Sequence, residues 1–440
     1  MLKNLLVIGG GESGVGAAVL ASVKGWNVFV TDKGIIKDKY KRVLNEYSID
    51  WEEGKHTIDR FNNIDLVIKS PGVPFSIPMI QDFVEKGIEV IDEIEFASFY
   101  TNSKMICITG SNGKTTTTLL TYYLLKKAGL KVGLAGNIGK SLAYQVATEN
   151  FDVYVVELSS FQLDGMNKFK ADFAVIMNIT PDHLDRYDYS IENYAKSKFR
   201  VTQNMKKDDV FLYCKDDELT NKYISDINIK AKRYPFSIEG VSEFYVNYNN
   251  KEIQLSSSEL SLKGKHNKYN CMVAATAALY MNVSEDIITE GLSDFSPVEH
   301  RLEPVSTVGG VRFINDSKAT NVDSCWYALD SMPTNVIWIA GGKDKGNDYS
   351  VLFDLVKTKV KALICLGVDN EKLLEVFTPI INTIEEAKSA DEAVSIAKKI
   401  SEKGDVVLLS PCCASFDLFN SYEDRGRQFK EAVQKLNENE

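Results

Sequence analysis

Residues 105–118 of this 440-residue chain read MICITGSNGKTTTT, and the rest of the fold is organised around this stretch. Its first four residues are apolar and predict a short buried strand that breaks at Thr109-Gly110. From Thr117 onward the sequence has the period of an amphipathic helix that ends at Gly129. A strand, a glycine turn and a helix start form a cradle for anions, because backbone N–H groups and the helix dipole favour negative charge there.

Two side chains of this loop have the chemistry of a nucleotide site. Lys114 can reach the terminal phosphates, and the hydroxyl of Thr115 is placed to hold Mg²⁺. The match to the usual pattern G-x-x-x-x-G-K-[ST] is incomplete, because Ile108 occupies the position of the first glycine. A turn with an incidental lysine is the alternative, which the flanking strand and helix disfavour. The stretch therefore predicts an ATP site.

The composition is that of an ordinary globular protein, with 44% hydrophobic and 25% charged residues. A net charge of −10, with no compensating block of Lys and Arg, argues against nucleic acid as a partner. No apolar run approaches the roughly 18 residues of a membrane span, and no signal peptide is evident. The seven cysteines form no CxxC pair, which is typical of reduced thiols. We expect a cytoplasmic enzyme with no nucleic-acid and no membrane partner.

The N-terminal segment carries a dinucleotide-binding fingerprint. A strand runs into Gly9-Gly10-Gly11-Glu12-Ser13-Gly14, and the next strand ends in Asp32, about twenty residues on. By itself this pattern indicates NAD. The physical basis of the pattern is not specific to NAD, because three glycines let any diphosphate approach a helix N-terminus. UDP also carries a diphosphate. A later strand opens into the rigid turn Ser70-Pro71-Gly72, and ligands of doubly wound sheets bind at such strand ends.

Polar residues also follow the apolar strands of the central part of the chain. Predicted strands end at Ala135, Val156 and Met177, and they lead into Gly136-Asn137, into Glu157 and into the segment 178–185. Glu157 is well placed to be a metal ligand, although an exposed strand-end acid is an equal alternative. His183 is one of four histidines, and its acidic neighbours make a hydrated loop an alternative to a metal site. Lys198 lies in a helical stretch and, taken by itself, would be a solvated lysine.

The remaining pattern predicts an α/β protein of three domains, over residues 1–98, 99–297 and 298–440. The first and third are expected to be Rossmann-like, and the second to be a P-loop ATPase-type α/β domain. Residues 228–262 contain short alternating runs (FYVNYN, EIQLS, ELSL) that predict β-hairpins added to the central domain. After a segment with two prolines at 294–304, strand and helix patterns resume, again with polar residues at the strand ends.

The order of motifs along the chain resembles the Mur ligase family. The matching stretches are TGSNGKTT, GNIG, ELSSFQL, NITPDHLDRY, GKHNKYN, HRLE, INDSKATN, GGKDK and SPCCASFD, in the order of the family. The short phosphate loop is the usual form in this family. ELSSFQL and INDSKATN favour the members that add D-glutamate over those that add L-alanine or a diamino acid.

The resemblance implies an activity. It is that of an ADP-forming, amide-bond-forming ligase, which joins D-glutamate to UDP-N-acetylmuramoyl-L-alanine through an acyl phosphate. The reaction belongs to cytoplasmic peptidoglycan precursor synthesis, and therefore to cell-wall biogenesis, cell shape and cell division. The cofactors would be ATP, two Mg²⁺ ions and a CO₂-derived carbamate on Lys198, and the protein would be a monomer.

The resemblance also implies roles for particular residues. The catalytic residues would be Lys114, Asn137, Glu157, His183 and Lys198. ATP would be bound by Gly110, Ser111, Asn112, Gly113, Lys114, Thr115, Thr116, Asn270, Arg301 and Asp316. Metal would be bound by Thr115, Glu157, His183 and Lys198. The UDP-linked substrate would be bound by Gly11, Glu12, Ser13, Gly14, Asp32, Lys33, Ser70, Pro71, Gly72, Asn137, Ser159 and Gln162. D-Glutamate would be bound by Lys318, Thr320, Lys345, Ser415, Phe416 and Tyr422.

One pair of residues departs from the family pattern. Many such enzymes have a Thr/Ser-Arg pair after the second strand, where this chain has Lys33-Gly34.

Three alternative functions remain open at this point. Another Mur or folylpolyglutamate-type ligase would share the ATP site and differ in its acceptor amino acid. An NAD-dependent oxidoreductase would use the N-terminal glycine motif but leave the phosphate loop unexplained. A non-catalytic nucleotide-binding regulator is disfavoured, because the full set of polar strand-end residues is present.

Overall fold

The computed structural model describes residues 3–57, 63–239, 243–296, 299–333, 335–344 and 346–438. The chain divides into two compact units, Met1–Leu260 with Lys268–Asp294 and Ser261–Asn267 with Phe295–Glu440. The first unit contains two parallel sheets and a separate hairpin, and the second contains one mixed sheet. The three sheets follow one another along the chain, as expected for a three-domain α/β protein.

The first sheet is built from five short, buried strands. They are β1 (Asn4–Ile8), β2 (Asn27–Asp32), β3 (Asp50–Glu53), β4 (Leu66–Lys69) and β5 (Glu89–Ile91). All pairs are parallel, in the order β3-β2-β1-β4-β5. The accompanying helices are α1 (Glu12–Val23), α2 (Asp38–Glu46), α3 (Pro78–Glu85) and α4 (Glu93–Ser98). This order is that of a Rossmann-like half, which confirms the expected class of the N-terminal part.

The second sheet is also fully parallel and carries the phosphate loop. Its strands are β6 (Lys104–Thr109), β7 (Val132–Gly136), β8 (Val153–Glu157), β9 (Phe173–Ile176), β10 (Val210–Cys214) and β11 (Lys232–Phe236). Their order is β11-β10-β9-β6-β8-β7. The helices that follow in this part of the chain are α5 (Lys114–Lys127), α6 (Leu142–Thr148), α7 (Ser160–Leu163), α8 (Ile191–Phe199), α9 (Glu218–Ile224), α10 (Lys265–Tyr280) and α11 (Glu285–Asp294).

The structure corrects two details of the predicted central part. Helix α5 begins at Lys114, three residues earlier than its period predicted, because Gly113 at φ +82° starts it in a left-handed conformation. Among the described residues of the segment 228–262, one hairpin is present where several were expected. It is formed by β12 (Phe244–Tyr248) and β13 (Lys251–Leu255) around a turn with positive φ at Asn249 and Asn250. The run ELSL at 259–262 is turn and bend, so a two-residue alternation was too short to specify a strand there.

The second unit is built on a six-stranded sheet with one antiparallel edge. Its strands are β14 (Glu303–Val308), β15 (Val311–Asn315), β16 (Val336–Gly341), β17 (Val360–Leu366), β18 (Ile384–Ala387) and β19 (Val406–Cys412). The order is β14-β15-β19-β16-β17-β18, and only β14–β15 is antiparallel among these pairs. The helices are α12 (Val322–Asp330), α13 (Phe353–Lys359), α14 (Glu371–Phe377), α15 (Ala390–Ile400) and α16 (Tyr422–Glu438).

Within the first unit, the two sheets are joined by close packing of α1 and α4 against α6. A Cβ at Gly16 would lie 1.9 Å from Ser141 Oγ, so only glycine allows this approach. The buried carboxylate of Glu93 accepts hydrogen bonds from Ser141 Oγ and from the N–H of Ala143, both at 2.6 Å. Burial raises the pKa of Glu93 to about 7. These contacts join α1 and α4, which belong to the first sheet, to α6, which belongs to the second sheet.

A search of the described helices for an apolar stretch of membrane-spanning length finds none.

Candidate active site

The phosphate loop lies at the carboxyl end of β6, between two neighbouring strands of the sheet. Helix α5 starts at Lys114, which places Lys114, Thr115 and Thr116 in its first turn, where backbone N–H groups lack helical acceptors. Gly113 could not be replaced without strain, because its φ is +82° and an added Cβ would lie 2.6 Å from Asn270 Oδ1. Asn270 also accepts a hydrogen bond from Thr117 Oγ1 at 3.0 Å. The loop and Asn270 of α10 therefore lie together, as predicted for an ATP site.

The segment after β9 holds the phosphate loop in place. Asn178 accepts from the N–H groups of Ser111 and Asn112, through its carbonyl oxygen at 3.0 Å and its Oδ1 at 2.8 Å. Ser111 Oγ donates to the carbonyl oxygen of Thr180 at 2.8 Å and accepts from its N–H at 2.9 Å. The segment after β9 therefore holds the backbone of two predicted ATP-binding residues, Ser111 and Asn112, in place.

Two lysines converge on this loop. Lys114 Nζ donates to the carbonyl oxygens of Gly110 at 2.7 Å and Ser111 at 2.8 Å. Lys198 Nζ, from α8, donates to the same carbonyl oxygen of Gly110 at 2.8 Å and lies 4.4 Å from the ring centre of Tyr194. Only 1% of Lys198 is exposed, which corrects the expectation of a solvated lysine. Burial first, and then the nearby charge of Lys114, hold the pKa of Lys198 well below its usual value.

Glu157 ends the strand beside the phosphate loop. It pairs with Ile108 on one side and with Gly136 on the other. Its Oε1 accepts from Asn137 Nδ2 at 2.7 Å, so two predicted catalytic residues are in direct contact. Its Oε2 is buried, and no hydrogen-bond partner for it exists among the described residues. An orphaned carboxylate oxygen at this edge has the chemistry of a ligand for Mg²⁺, which prefers oxygen donors.

His183 occupies an irregular turn just before a short 3-10 helix at Leu184–Arg186. Its backbone is left-handed, with φ +53°. The ring lies 5.2 Å from that of Phe161, and its Nε2 lies 3.7 Å from Asp182 Oδ2. The side chain is partly exposed, with 39% of it accessible to solvent.

The loops predicted to bind the UDP-linked substrate meet at the carboxyl edge of the first sheet. A Cβ at Gly9 would lie 2.3 Å from Ser70 Oγ, so the glycine loop and the Ser70-Pro71-Gly72 turn are in contact. Asp32 accepts from the N–H groups of Gly10 at 2.6 Å and Gly34 at 2.7 Å. Lys33 is exposed, and so are Gly11 and Glu12, whereas Gly14 is buried.

Two other predicted substrate residues have a structural role of their own. Ser159 and Gln162 form a capping box at the start of α7, in which Ser159 Oγ accepts from the N–H of Gln162 at 3.3 Å. Gln162 Oε1 in turn accepts from the N–H of Ser159 at 2.9 Å. Much of their hydrogen-bonding capacity therefore stabilises the helix end.

In the second unit, Arg301 and Asp316 lie near the carboxyl end of β15. Asp316 is buried, and its carboxylate accepts from the N–H of Leu302 at 3.1 Å and from Ser410 Oγ at 2.9 Å. Burial raises the pKa of Asp316 to about 6, partly offset by the charge of Arg301. Arg301 Nε is buried without a hydrogen-bond partner among the described residues. A buried acid and an unpaired guanidinium Nε–H are suited to a polar ligand such as the adenosine part of ATP.

The residues predicted to bind D-glutamate come from several strand ends of the same sheet. Lys318 Nζ lies 5.2 Å from the ring centre of Tyr422, so these two side chains are in contact. Ser415 is buried, whereas 71% of Phe416 is exposed. Thr320 follows Lys318 in the loop after β15, with its N–H bonded to the carbonyl oxygen of Lys318 at 2.9 Å. Lys345 lies outside the described residues.

Sequence reasoning missed several residues of this region. Asn178 holds the phosphate loop, and its position directly after a predicted strand could have suggested such a role. Tyr194 packs on Lys198, with its hydroxyl 3.1 Å from Ser111 Oγ. Arg425 is buried beside the loops predicted to bind D-glutamate. No local signal distinguishes the last two from ordinary helix residues.

Three family models together cover most of the chain. They describe a Mur ligase MurD-like N-terminal domain over residues 3–92, a Mur ligase middle domain over 108–278 and a Mur ligase glutamate ligase domain over 300–413. With the fold and strand-end residues above, these matches define an ATP-dependent ligase. The chain belongs to the Mur ligase family. The oxidoreductase alternative is therefore set aside.

Relatives in several bacteria are similar over their full length. The UDP-N-acetylmuramoylalanine--D-glutamate ligase of Bacteroides fragilis is 53% identical, with 99% of this chain and 100% of that protein covered. The enzymes of the same name from Christiangramia forsetii and Salinibacter ruber are 51% and 39% identical, over 99% and 98% of this chain and 100% and 97% of theirs.

Solved structures share the fold at low sequence identity. A pseudomurein peptide ligase type C from Methanothermus fervidus has a TM-score of 0.63 at 20% identity, covering 99% of this chain and 100% of that one. The MurF ligase of Thermotoga maritima, solved with ADP, has a TM-score of 0.63 at 16% identity, covering 94% and 96%. Both confirm the three-part α/β architecture.

Proposed function

We propose that this protein is an ATP-dependent ligase that adds D-glutamate to UDP-N-acetylmuramoyl-L-alanine. The proposal rests above all on the cluster of Lys114, Lys198 and the Gly110 carbonyl at the phosphate loop, in a chain 53% identical to a ligase of that name. The reaction belongs to peptidoglycan precursor synthesis, which takes place in the cytoplasm. The enzyme acts as a monomer built from domains at residues 1–98, 99–297 and 298–440.

The first chemical problem is that a carboxylate is a poor electrophile. The alanyl carboxylate of the UDP-linked substrate attacks the γ-phosphorus of ATP, which gives an acyl phosphate and ADP. The neutral amine of D-glutamate then attacks the acyl carbon, the carbon–oxygen bond to phosphate breaks, and the proton lost by the nitrogen leaves with the phosphate as the amide forms. Lys114 must turn from its carbonyl acceptors toward the phosphates, where its charge offsets that of the transferring group.

The donor set at the phosphate loop fits Mg²⁺. Thr115 and Glu157 offer a hydroxyl and an orphaned carboxylate oxygen, and His183 offers a ring nitrogen. Asn137 orients the Glu157 carboxylate by its hydrogen bond. Two Mg²⁺ ions, when bound, supply charge neutralisation for the phosphoryl group. ATP itself is assigned to the segment from Gly110 to Thr116, together with Asn270, Arg301 and Asp316.

We propose that Lys198 carries a carbamate. Its amine is buried and shares an acceptor with Lys114, and its depressed pKa increases the fraction of neutral amine, which is the form that attacks CO₂. Carbamylation turns a buried cation beside Lys114 into an anion that Lys114 and a metal ion can neutralise. This explains why a lysine lies buried in a site that must bind cations.

The remaining residues are assigned to the two other substrates. Gly11 to Gly14, Asp32, Lys33 and Ser70 to Gly72 bind the uridine diphosphate, and Asn137, Ser159 and Gln162 bind the muramoyl-alanine end. Lys318, Thr320, Lys345, Ser415, Phe416 and Tyr422 bind D-glutamate. The lysines among them attract its two carboxylates.

The deciding experiment is phosphate release from ATP–Mg²⁺ with UDP-N-acetylmuramoyl-L-alanine across a panel of amino acids. Release that requires D-glutamate and fails with L-glutamate, L-alanine and diaminopimelate is the expected result. Release with a different amino acid would keep the ligase mechanism and reassign the acceptor pocket. No release with any of them would refute the proposed reaction.

A further inference from the structure

Arg425, in the first turns of α16, is one of the largest fully buried side chains of the second unit, with 1% of it exposed. No ion pair to it exists among the described residues, and its guanidinium donates instead to neutral oxygens. Nε donates to Ser317 Oγ at 3.0 Å, and Nη2 to the carbonyl oxygen of Ser317 at 2.9 Å. Nη1 and Nη2 both donate to the carbonyl oxygen of Cys413 at 3.3 Å, and Nη1 reaches that of Gly341 at 3.5 Å.

These acceptors belong to three different loops. Ser317 follows β15, Gly341 ends β16 and Cys413 follows β19, and these three strands are neighbours in the sheet. Ser317 Oγ also donates to the carbonyl oxygen of Tyr422 at 2.8 Å, which ties in the start of α16. One planar group with five N–H donors in fixed directions therefore joins three strand ends and a helix start.

The same loops carry the residues assigned to D-glutamate. Lys318 is next to Ser317, Ser415 and Phe416 follow Cys413 within three residues, and Tyr422 contributes the linked carbonyl. Arg425 itself is enclosed by these loops, since a Cβ at Gly342 would lie 3.3 Å from its Nη1. Its guanidinium is therefore placed to set the positions of these loops through their backbone carbonyl groups.

We propose that Arg425 is a positioning residue for the acceptor amino acid, which sets the relative placement of the three loops that bind it. The inference rests on the proposed D-glutamate site. The carboxylate of Asp316, assigned to adenosine, accepts from Ser410 Oγ and from the N–H of Leu302, whereas the hydrogen bonds of Arg425 go to Ser317, Gly341 and Cys413. A conservative change at Arg425 should therefore affect the acceptor amino acid more than ATP.

Arg425→Lys keeps the charge but loses the planar fork, because an ammonium donates from a single point. We expect the KM for D-glutamate to rise at least about 10-fold, with the KM for ATP and for the UDP-linked substrate within about 2-fold of wild type. The matched control is Arg427→Lys, two residues along the same helix, where Arg427 is exposed and should behave as wild type. An unchanged KM for D-glutamate, or equal rises in all three KM values, would overturn the proposal.

A milder variant guards against misfolding of Arg425→Lys. Ser317→Ala removes one acceptor of Arg425 and the link to Tyr422, and should raise the KM for D-glutamate in the same selective way, by about 3-fold. A Ser317→Ala variant with wild-type KM for D-glutamate would count against the proposal. The wild-type amino-acid panel is run first. If it selects another amino acid, the proposed function is revised, and the same KM comparison is made with that amino acid.

Discussion

The ammonium groups of Lys114 and Lys198 donate to one carbonyl oxygen, that of Gly110, at 2.7 and 2.8 Å. Two cations that share one neutral acceptor in a buried site repel each other, and the arrangement is relieved when one becomes an anion. The proposed carbamate on Lys198 makes that change, because its negative charge attracts the Lys114 ammonium instead of repelling it. The apposition of these two residues therefore leads to the first prediction.

Replacement of Lys198 by Ala should lower the rate of phosphate release at least about 100-fold, because the site loses its anionic metal ligand. Added acetate, a short carboxylate, should restore part of the rate by occupying the space. Lys196→Ala is the control, since Lys196 is an exposed residue of the same helix paired with Glu192. Full activity of Lys198→Ala without acetate would exclude the carbamate role.

Replacement of Glu157 by Gln should separate activity from stability. The half-saturating concentration of Mg²⁺ should rise at least about 10-fold and kcat should fall about 100-fold. The free energy of unfolding should change by no more than about 1 kcal/mol, because the buried charge is removed while the new NH2 group takes the place of the unpartnered oxygen. Glu149→Gln, at an exposed acid, serves as the control. A loss of several kcal/mol in Glu157→Gln would show that the carboxylate has a structural role.

Two glycines of the N-terminal segment should respond oppositely to alanine. Gly11 has no atom within 4 Å of an added Cβ, so Gly11→Ala should leave thermal unfolding unchanged. It should raise the KM for the UDP-linked substrate at least about 10-fold, because the methyl group occupies the diphosphate approach.

Gly16→Ala places a Cβ 1.9 Å from Ser141 Oγ and should cost about 1–3 kcal/mol of stability. The midpoint temperature of thermal unfolding of Gly16→Ala should therefore fall below that of the wild-type protein. If Gly11→Ala left the KM for the UDP-linked substrate unchanged, the diphosphate would have to bind elsewhere.

Asp316 should make ATP binding dependent on pH. Its pKa is raised to about 6 by burial, so the carboxylate needed to accept hydrogen bonds from adenosine is lost as the pH falls below 6. The KM for ATP should rise by about tenfold per pH unit below that value. Asp316→Asn should bind ATP more weakly at pH 7.5 and show a flatter profile. The KM for ATP measured from pH 5 to pH 8 checks this, and identical profiles for the two proteins would refute it.

The local parts of this protein could be predicted from the sequence. The strand, loop and helix around residues 105–118, the glycine loop at 9–14 and the polar residues at strand ends all depend on short-range patterns. Such patterns specify backbone conformation directly, and the carboxyl ends of parallel strands share one edge of a sheet. The start of α5 differed by one turn, because hydrophobic period alone does not report a left-handed glycine at a helix start.

What the sequence by itself determined was therefore the three-domain α/β class, the phosphate loop and the family motifs. Only the tertiary structure decided the environment of single side chains: the burial of Lys198, the hold of Asn178 on the phosphate loop, and the place of Arg425 under three loops. The physical reason is separation along the chain. Lys198 meets Gly110 across 88 residues and Arg425 meets Ser317 across 108, and no local period encodes such contacts.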